Sequence, residues 1–534
     1  MSGRLTLTWA NKDQALVSTI DGGYQWVDPA DPRAAEIRLL DPVSTHGETA
    51  GDNLLIRGDG LHAMRSLARI PEYAGRYRGK VKLVYIDPPF NTGQAFEHYD
   101  DSFEHSVWLG MMRERLVAIR DLLAPDGSVW VHLDYTEVHY AKVLMDEVFG
   151  RANFIGDVVW QKVHARDNRT DLSISHDTVL VYAADRVGWR FVRNLLDRTE
   201  DQAAAYANPD DDPRGPWTSS DMSGKAGPGR RKEQFYTVVS PAGVSFDPAA
   251  GRCWIYTQDR YEEVLADGRI WFGANGKAMP RVKRFLAEVQ GGVVPDTWWT
   301  YEQVGNNQDA KREIKAMFEG EDTPFATPKP ERLIERVIHI GSNPGDIVLD
   351  AFAGSGTTAA VAHKMRRRWV TIEQQASTVD AFTRPRLVKV VDGADPGGIT
   401  ESAGWTGGGG FTELRVAPPT FAEAPAEYGG GPVVVANLPE GQLPRAVAAA
   451  LEFELEERGP FIGRKGRTRL AVVEGLLDDT VVDDLTSALA EGESVQVAAI
   501  SFLPEARERL QQRVHGASVR RIPDDLFRRS TVTR

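Results

Sequence analysis

Two consecutive prolines, Pro88 and Pro89, follow the β-branched and aromatic run Lys80 to Asp87, KVKLVYID. Neither a helix nor an inner strand continues through them, because proline has no N–H for a ladder and its ring fixes φ. The run is therefore predicted as a short buried strand that must stop at an aspartate. A strong amphipathic helix follows, with Trp108, Met112, Leu116, Ile119 and Leu123 at three- and four-residue steps, stopping near Pro125-Asp126-Gly127. Ser128 to Leu133 reads as a strand, Glu137 to Phe149 as a helix stopped by Gly150, and Ile155 to Trp160 and Thr178 to Tyr182 as strands. The pattern resumes with a helix over Pro330 to Ile340, a strand over Asp346 to Asp350, a glycine-rich turn opening a helix over Phe352 to Met365, and a strand over Trp369 to Ile372. Such alternation predicts an α/β fold built on a parallel-type sheet.

At 534 residues the chain can bury several cores, and composition limits what surrounds them. Its 63 Lys and Arg against 76 Asp and Glu give a net charge of -13, which argues against a uniformly basic coat and against a membrane-surface protein. The single cysteine, Cys253, has no intramolecular partner, the start Met-Ser-Gly-Arg-Leu lacks the apolar core of a secretory signal, and no run approaches the ~18 apolar residues of a membrane span. A soluble cytoplasmic protein without a membrane partner is the expectation. Texture divides it into an N-terminal extension (1–45), a first α/β half (46–192), a Pro- and Gly-clustered insertion (193–310), a second α/β half (311–392), a Gly/Pro-rich linker (393–431) and a small C-terminal α/β domain (432–534) with no assignable motif.

Two strand ends carry chemistry. At Leu349 to Thr358, a strand ends in Asp350 and a Gly-x-Gly turn enters a helix, which lets backbone approach a ligand and aims helix N-terminal amides at it. Glu373 ends the next strand, 19 residues after Gly354, where an acid can bind both hydroxyls of a ribose. A third glycine is missing, since Thr357, Thr358 and Ala359 follow Gly356, which disfavours a nicotinamide cofactor; no Gly-Lys-Ser/Thr follows, which excludes a P-loop. At the other strand end, the Asp87 carboxylate and the Pro88 carbonyl become two fixed acceptors beside the Phe90 ring. Two acceptors and a stacking face suit a planar heterocycle with an exocyclic amino group. Read singly, the first motif is also a ligand-free tight turn and the second a proline-terminated strand. There is no Cys/His cluster of zinc spacing, so no metal is expected.

Taken together the two motifs resemble those of the DNA amino-methyltransferases. In that family DPPF is the catalytic motif, here Asp87, Pro88, Pro89 and Phe90, and FxGxG is the cofactor motif, here Phe352, Ala353, Gly354, Ser355 and Gly356. The resemblance covers roughly residues 50 to 415, with the catalytic motif first, as in the β group and the modification subunits of type III restriction systems. It implies a permuted Rossmann-like core, S-adenosylmethionine as cofactor held also by Asp350, Thr357 and Glu373, and transfer to the N6 amino group of a flipped adenine in duplex DNA. An Asp at the first motif position resembles the adenine-N6 members; a cytosine-N4 enzyme on the same scaffold and a catalytically silent DNA-recognition subunit are the alternatives. Asn53 to Asp59 resembles the segment in which the Asp approaches the base or the methionine part of the cofactor, and Thr327 to Leu333, with Lys329, the segment that flanks the cofactor. Leu133-Asp134-Tyr135 and Ser173 to Asp177 match structural strand ends, and His176 is not expected to be catalytic. The resemblance also leaves open a homodimer and a separate helicase–nuclease or defence-system partner.

In this family the insertion recognises the target. From Arg214 to Arg284 there are 12 Lys and Arg against 7 Asp and Glu, and Arg230, Arg231, Lys232, Lys277, Arg281 and Lys283 are the expected DNA contacts, neutralising phosphates or reading guanine edges. Trp254, Trp271 and Phe272 are expected in the core.

Overall fold

The computed structural model describes residues 5–18, 24–48, 53–91, 95–96, 99–100, 104–226, 232–289, 291–318, 325–424 and 431–526. Its largest element is a sheet of ten strands: β1 (Leu40–Gly47), β2 (Leu54–Arg57), β3 (Val81–Ile86), β4 (Leu123–Leu133), β5 (Phe154–Gln161), β6 (His176–Ala183), β7 (Trp298–Trp299), β8 (Ile347–Asp350), β9 (Arg368–Glu373) and β10 (Gly410–Val416). Across the sheet they run β7-β5-β6-β4-β3-β8-β9-β2-β10-β1. From β4 to β10 the neighbours pair in parallel. A parallel sheet must be covered on both faces. Its strands accordingly read as near-continuous apolar runs, with Leu83, Val84, Ile86, Val129, Val131 and Leu349 wholly buried.

The covering helices include α1 (Gly60–Arg69), α2 (His105–Leu122), α3 (Val138–Met145), α4 (Glu331–Gly341), α5 (Thr357–Lys364) and α6 (Arg384–Val391). In α2 the periodic residues Trp108, Met112, Leu116 and Ile119 are all fully buried. The two α/β halves, far apart in sequence, meet in the middle of the sheet, where β3 pairs with β8.

The edges depart from the sequence reading. β5 and β6 pair antiparallel with each other, and β6 antiparallel with β4, because no helix forms between Gln161 and His176 to carry a parallel crossover. The stretch read as a linker supplies β10, the extension supplies β1 antiparallel to it, and Trp298–Trp299, read as insertion, adds β7 parallel to β5. β7 has only two residues, β1 carries Pro42, and β10 directly follows the Gly407–Gly409 run; their pairing defines them.

Leu195–Pro295 forms a compact unit of its own. It holds a three-stranded antiparallel sheet, Trp217–Asp221, Arg281–Phe285 and Ile270–Trp271, beside a core of Met222, Trp254, Phe272 and Val282. The C-terminal segment carries a five-stranded mixed sheet, β11 (Glu454–Arg458), β12 (Phe461–Lys465), β13 (Thr468–Leu477), β14 (Ser494–Phe502) and β15 (Ser518–Arg521), in sequential order. Among the described residues no helix is long and apolar enough to cross a membrane.

A buried charge cluster joins α4, α5 and α6. The Glu331 carboxylate accepts from Lys364 Nζ at 2.7 Å, Arg386 Nη2 at 2.8 Å and the Ile399 amide at 2.9 Å, and Lys364 also pairs with Asp395. All four side chains are at most 1% exposed. Removing one partner of such a cluster leaves charges with neither water nor counter-ion. Glu331→Ala should lower unfolding stability by roughly 3–5 kcal/mol, read as a fall in the urea midpoint; a change under about 1 kcal/mol would show that the cluster relaxes freely.

Candidate active site

Because the central strands are parallel, their C-terminal ends share one edge, and the acidic residues there converge. Asp87 follows β3, Asp134 follows β4, Asp350 ends β8 and Glu373 ends β9. β6 starts at this edge because it runs the other way, with Thr178 opposite Leu133, so Asp177 joins them. All five line one cavity of about 960 Å³, close to the upper end of ligand pockets.

On the β3 side, Trp108 Nε1 donates to the Pro89 carbonyl at 2.8 Å and Asn91 Nδ2 to the buried Glu137 carboxylate at 2.8 Å, so the segment after the strand is tied down at two points. Asp87 Oδ2 accepts a hydrogen bond from the Lys329 ammonium, which also lies over the Phe90 ring, 5.3 Å from its centroid. The other oxygen, Oδ1, is buried with no hydrogen-bond partner among the described residues. A buried acceptor without a donor is costly unless a ligand supplies one.

Phe90 is backed by a polar chain of which only Asp177 falls in a segment matched above to a structural strand end. The His132 ring stacks behind it at 6.0 Å and 19°. His132 Nδ1 lies 2.8 Å from the Tyr85 hydroxyl and Nε2 lies 3.3 Å from Asp177 Oδ2, while Lys162 Nζ donates to Asp177 Oδ1 at 2.7 Å. Burial pushes the Tyr85 phenol well up, so it keeps its proton and donates to Nδ1. Burial also works to raise Asp177, but His132 and Lys162 overcome it and hold the carboxyl below its ordinary value. Nε2 therefore donates to a carboxylate, and the ring is locked in one tautomer and one plane. The signal available in sequence was a histidine and an aspartate at the facing ends of adjacent strands, which only the antiparallel register makes neighbours. His176 is exposed and does not line the cavity.

On the β8–β9 side, the turn Phe352 to Gly356 crosses the cavity wall. Gly354 has φ +49°, and a Cβ there would meet the Phe325 ring at 3.1 Å; Gly356, at φ +79°, opens α5 against Thr383. Glu373 accepts from the Gly354 amide at 2.9 Å and the Gln375 amide at 2.8 Å, which fixes its carboxylate against the turn. Burial raises the Glu373 pKa, and these amides restrain the rise. Asp350 accepts from the Phe352 amide at 3.0 Å, and burial, aided by the nearby acids Asp87 and Glu373, pushes its pKa up to about 7. Phe352, Ala353, Gly354 and Thr357 line the cavity; Gly356 does not. Thr357 Oγ1 also accepts from Arg386 of the buried charge cluster at 2.7 Å.

Lys329, the expected cofactor contact, lines the cavity with its ammonium bonded to Asp87, while the expected placements of Asp59 and Lys283 need correction. Asp59 caps α1, accepting from the Leu61 amide at 2.8 Å, and its second oxygen is held by Arg115; it does not line the cavity, although Gly60 and Arg115 do. Burial works to raise the Asp59 pKa, but Arg115 overrides it and keeps the carboxyl ionised. In the Leu195–Pro295 unit, Lys283 is buried between Asp210 and Asp212 and cannot reach a phosphate. Arg281 is engaged by Ser219 and Asp221. Lys232 and Lys277 are exposed, and Arg230 and Arg231 lie outside the described residues. The local positive charge was a matter of bounds. Over 195–295 there are 13 Lys and Arg against 14 Asp and Glu, because Asp210, Asp212 and Glu288, which pair with Lys283, Arg214 and Arg269, lie just outside the basic window.

Comparison with known proteins gives the chemistry a family. Residues 81–384 match the N6_N4_Mtase family, described as DNA methylase. The probable type III restriction-modification enzyme HindVI Mod subunit of Haemophilus influenzae is 30% identical over 434 residues, 70% of this chain and 55% of that protein. The type III restriction-modification enzyme StyLTI Mod subunit of Salmonella typhimurium is 28% identical over 436 residues, 70% of this chain and 64% of that protein. The type II methyltransferase M.EcaI of Enterobacter cloacae is 28% identical over 303 residues, covering 55% and 62% of the two chains. The chain thus spans less than two thirds of the length of these relatives.

The raised Asp350 pKa has a measurable consequence. Between its unfolded value of 3.8 and about 7, the folded protein binds a proton that the unfolded chain does not, so this group's contribution to stability falls as pH rises through that window. Asp350→Asn removes the effect. Its unfolding free energy, taken from urea curves, should match wild type near pH 4 and exceed it increasingly up to pH 8, by roughly a few kcal/mol at most. Parallel curves of free energy against pH for the two proteins would contradict burial as the cause.

Proposed function

The chain belongs to the DNA methylase family matched by residues 81–384, and from that premise we propose that it is a site-specific DNA methyltransferase that transfers a methyl group to the N6 amino group of adenine. One observation carries the reading: Asp87 with Phe90 and Glu373 with the Phe352–Gly356 turn open on the same cavity, so a base and a nucleoside cofactor can be held face to face.

The donor set fits S-adenosylmethionine. The turn at Gly354 presents backbone where a side chain would collide, and Glu373, fixed by two amides, has lone pairs left for the hydroxyls of a ribose. When bound, the cofactor supplies an electrophilic methyl group on a positively charged sulfur. The chain's own residues do the rest by positioning. A paired adenine keeps its amino group inside the duplex, so the base must leave the stack. Phe90, backed by His132, offers it a flat face. The Asp87 carboxylate accepts an N–H of the amino group, and the tethered Pro88-Pro89 segment brings the Pro88 carbonyl as a second acceptor. Accepting both N–H bonds holds the nitrogen lone pair out of conjugation with the ring and toward the methyl group, and most of the rate gain follows from that alignment.

The Asp at the head of the motif favours adenine over cytosine. The two Mod-subunit relatives support a place as the modification component of a restriction or phage-defence system, acting on double-stranded DNA in the cytoplasm. Cleavage would then belong to a separate helicase–nuclease subunit, and a second copy of this chain is a further partner to test by sedimentation.

Genomic DNA from a methylation-free host expressing the protein should, after digestion to nucleosides, yield N6-methyladenine by mass, and mapping the modified bases gives the recognised site. Asp87→Ala should abolish the signal while leaving the fold intact. N4-methylcytosine instead would overturn the choice of base, and no methylation by wild type would leave a DNA-recognition role. Glu373→Ala should weaken binding of S-adenosylhomocysteine, measured by calorimetry, by roughly tenfold or more.

A further inference from the structure

Lys329 occupies one of the two Asp87 oxygens, Oδ2, and the face of Phe90, both assigned to the target base, while Oδ1 is left without a donor. Its ammonium donates to Asp87 Oδ2 and sits over the face of Phe90, 5.3 Å from the ring centroid. It is 9% exposed, so the interaction is formed inside the cavity and not at its mouth. Like an exocyclic amino group, it offers only N–H bonds. We propose that the Lys329 ammonium is a stand-in for the target amino group, closing the base pocket until a flipped base displaces it. This rests on the methyltransferase reading above and adds to it a residue that governs entry and selects among bases.

The lysine cannot remain once the base is in place. Transfer of a methyl group puts positive charge on the amino nitrogen, and an ammonium a few ångströms away opposes that charge. Donation from the ammonium to the neighbouring ring nitrogen would draw the amino lone pair further into the ring, the reverse of what Asp87 achieves. Both Asp87 and the Phe90 face must therefore be vacated. The backbone does not move: Pro330 and Glu331 follow directly, and Glu331 is fixed by Lys364, Arg386 and Ile399. Displacement is confined to the flexible four-carbon side chain of Lys329.

This arrangement has two uses. Without DNA, Asp87 is never a lone carboxylate in a half-dry pocket, because the lysine serves as its counter-ion. On entry, one N–H donor replaces another, so a base with an exocyclic amino group restores what the lysine gave up. A base presenting only a carbonyl to Asp87 displaces the lysine and receives repulsion in return.

The test uses the full-length chain and a duplex bearing the mapped site, with 2-aminopurine next to the target adenine as a fluorescent reporter of flipping, so that the target keeps its 6-amino group. If the lysine closes the pocket, the apparent affinity of wild type is lowered by the fraction of molecules whose pocket is closed, and Lys329→Met should increase the fluorescence rise on binding by about threefold or more. The KM for the adenine duplex should fall, and the Kd for S-adenosylhomocysteine should stay within about twofold of wild type. Lys329→Arg, which keeps the charge, should remain closed. An unchanged fluorescence rise in Lys329→Met overturns the proposal. So does a tenfold loss of cofactor affinity without a change in flipping, which would make Lys329 a cofactor residue. So does loss of methylation in Lys329→Met with recovery in Lys329→Arg, which would make the cation a direct participant on the base. Failure of wild type to methylate any site rejects the methyltransferase reading itself, a result distinguishable from all three.

Discussion

The Glu331 carboxylate, buried with two cations and a backbone amide, is the interaction on which the geometry of the cavity depends. Through Arg386 it reaches Thr357, the first residue of the helix that leaves the Phe352–Gly356 turn. Through the chain itself it fixes Pro330 and Lys329, and Lys329 reaches Asp87. One buried group thus ties the Phe352–Gly356 wall of the cavity to the Asp87 wall, although the two lie on different halves of the sequence. The cluster pairs Glu331 and Asp395 with Lys364 and Arg386, so its formal charge cancels inside the protein. That balance makes the burial tolerable and makes loss of any one member severe.

A second constraint is the direction of the strands. Parallel pairing puts every strand C-terminus on one edge, and carboxylates collect there at Asp87, Asp350 and Glu373. Crowded acids in a low-dielectric site cannot all stay ionised at their ordinary pKa. The structure meets this in three ways. Asp87 and Asp177 have lysine partners, Glu373 is held by amides, and Asp350, without a cation, shifts its pKa to about 7. The environments are therefore unequal, and the acid that keeps a displaceable partner is the one at the head of the proline-terminated segment.

Much of this was legible from local signals. The run to Pro88-Pro89, the glycine turn after Asp350 and Glu373 at the end of the following strand each declare themselves within about ten residues, because apolar periodicity and proline act locally. What lay beyond reach depends on pairing between distant residues. The antiparallel return of β6 brings Asp177 to His132; Gly410–Val416, directly after three glycines, becomes a strand because β2 and β1 flank it. The reach of Lys329, just ahead of α4, to Asp87 at the end of β3 is another such pairing. The charge of the Leu195–Pro295 unit failed for the same reason. A window beginning at Arg214 excluded the acids that fold back onto its arginines and lysine.

That last point changes what DNA affinity can rest on. A unit with 13 bases and 14 acids, many of the described ones paired with each other, offers no broad electropositive surface among its described residues. Counter-ion release from phosphates scales with the number of cations free to contact them, not with the number present. On the proposed function, recognition by this unit would lean on exposed side chains such as Lys232 and Lys277 and on direct contact with base edges. Under the proposed exchange, a pocket that holds its own cation until an amino group replaces it would spend no binding energy on exposing a bare carboxylate. The number of N–H donors on Asp87 Oδ2 would stay constant, so the cost of opening would fall on Lys329 and be recovered only with a base of the right chemistry.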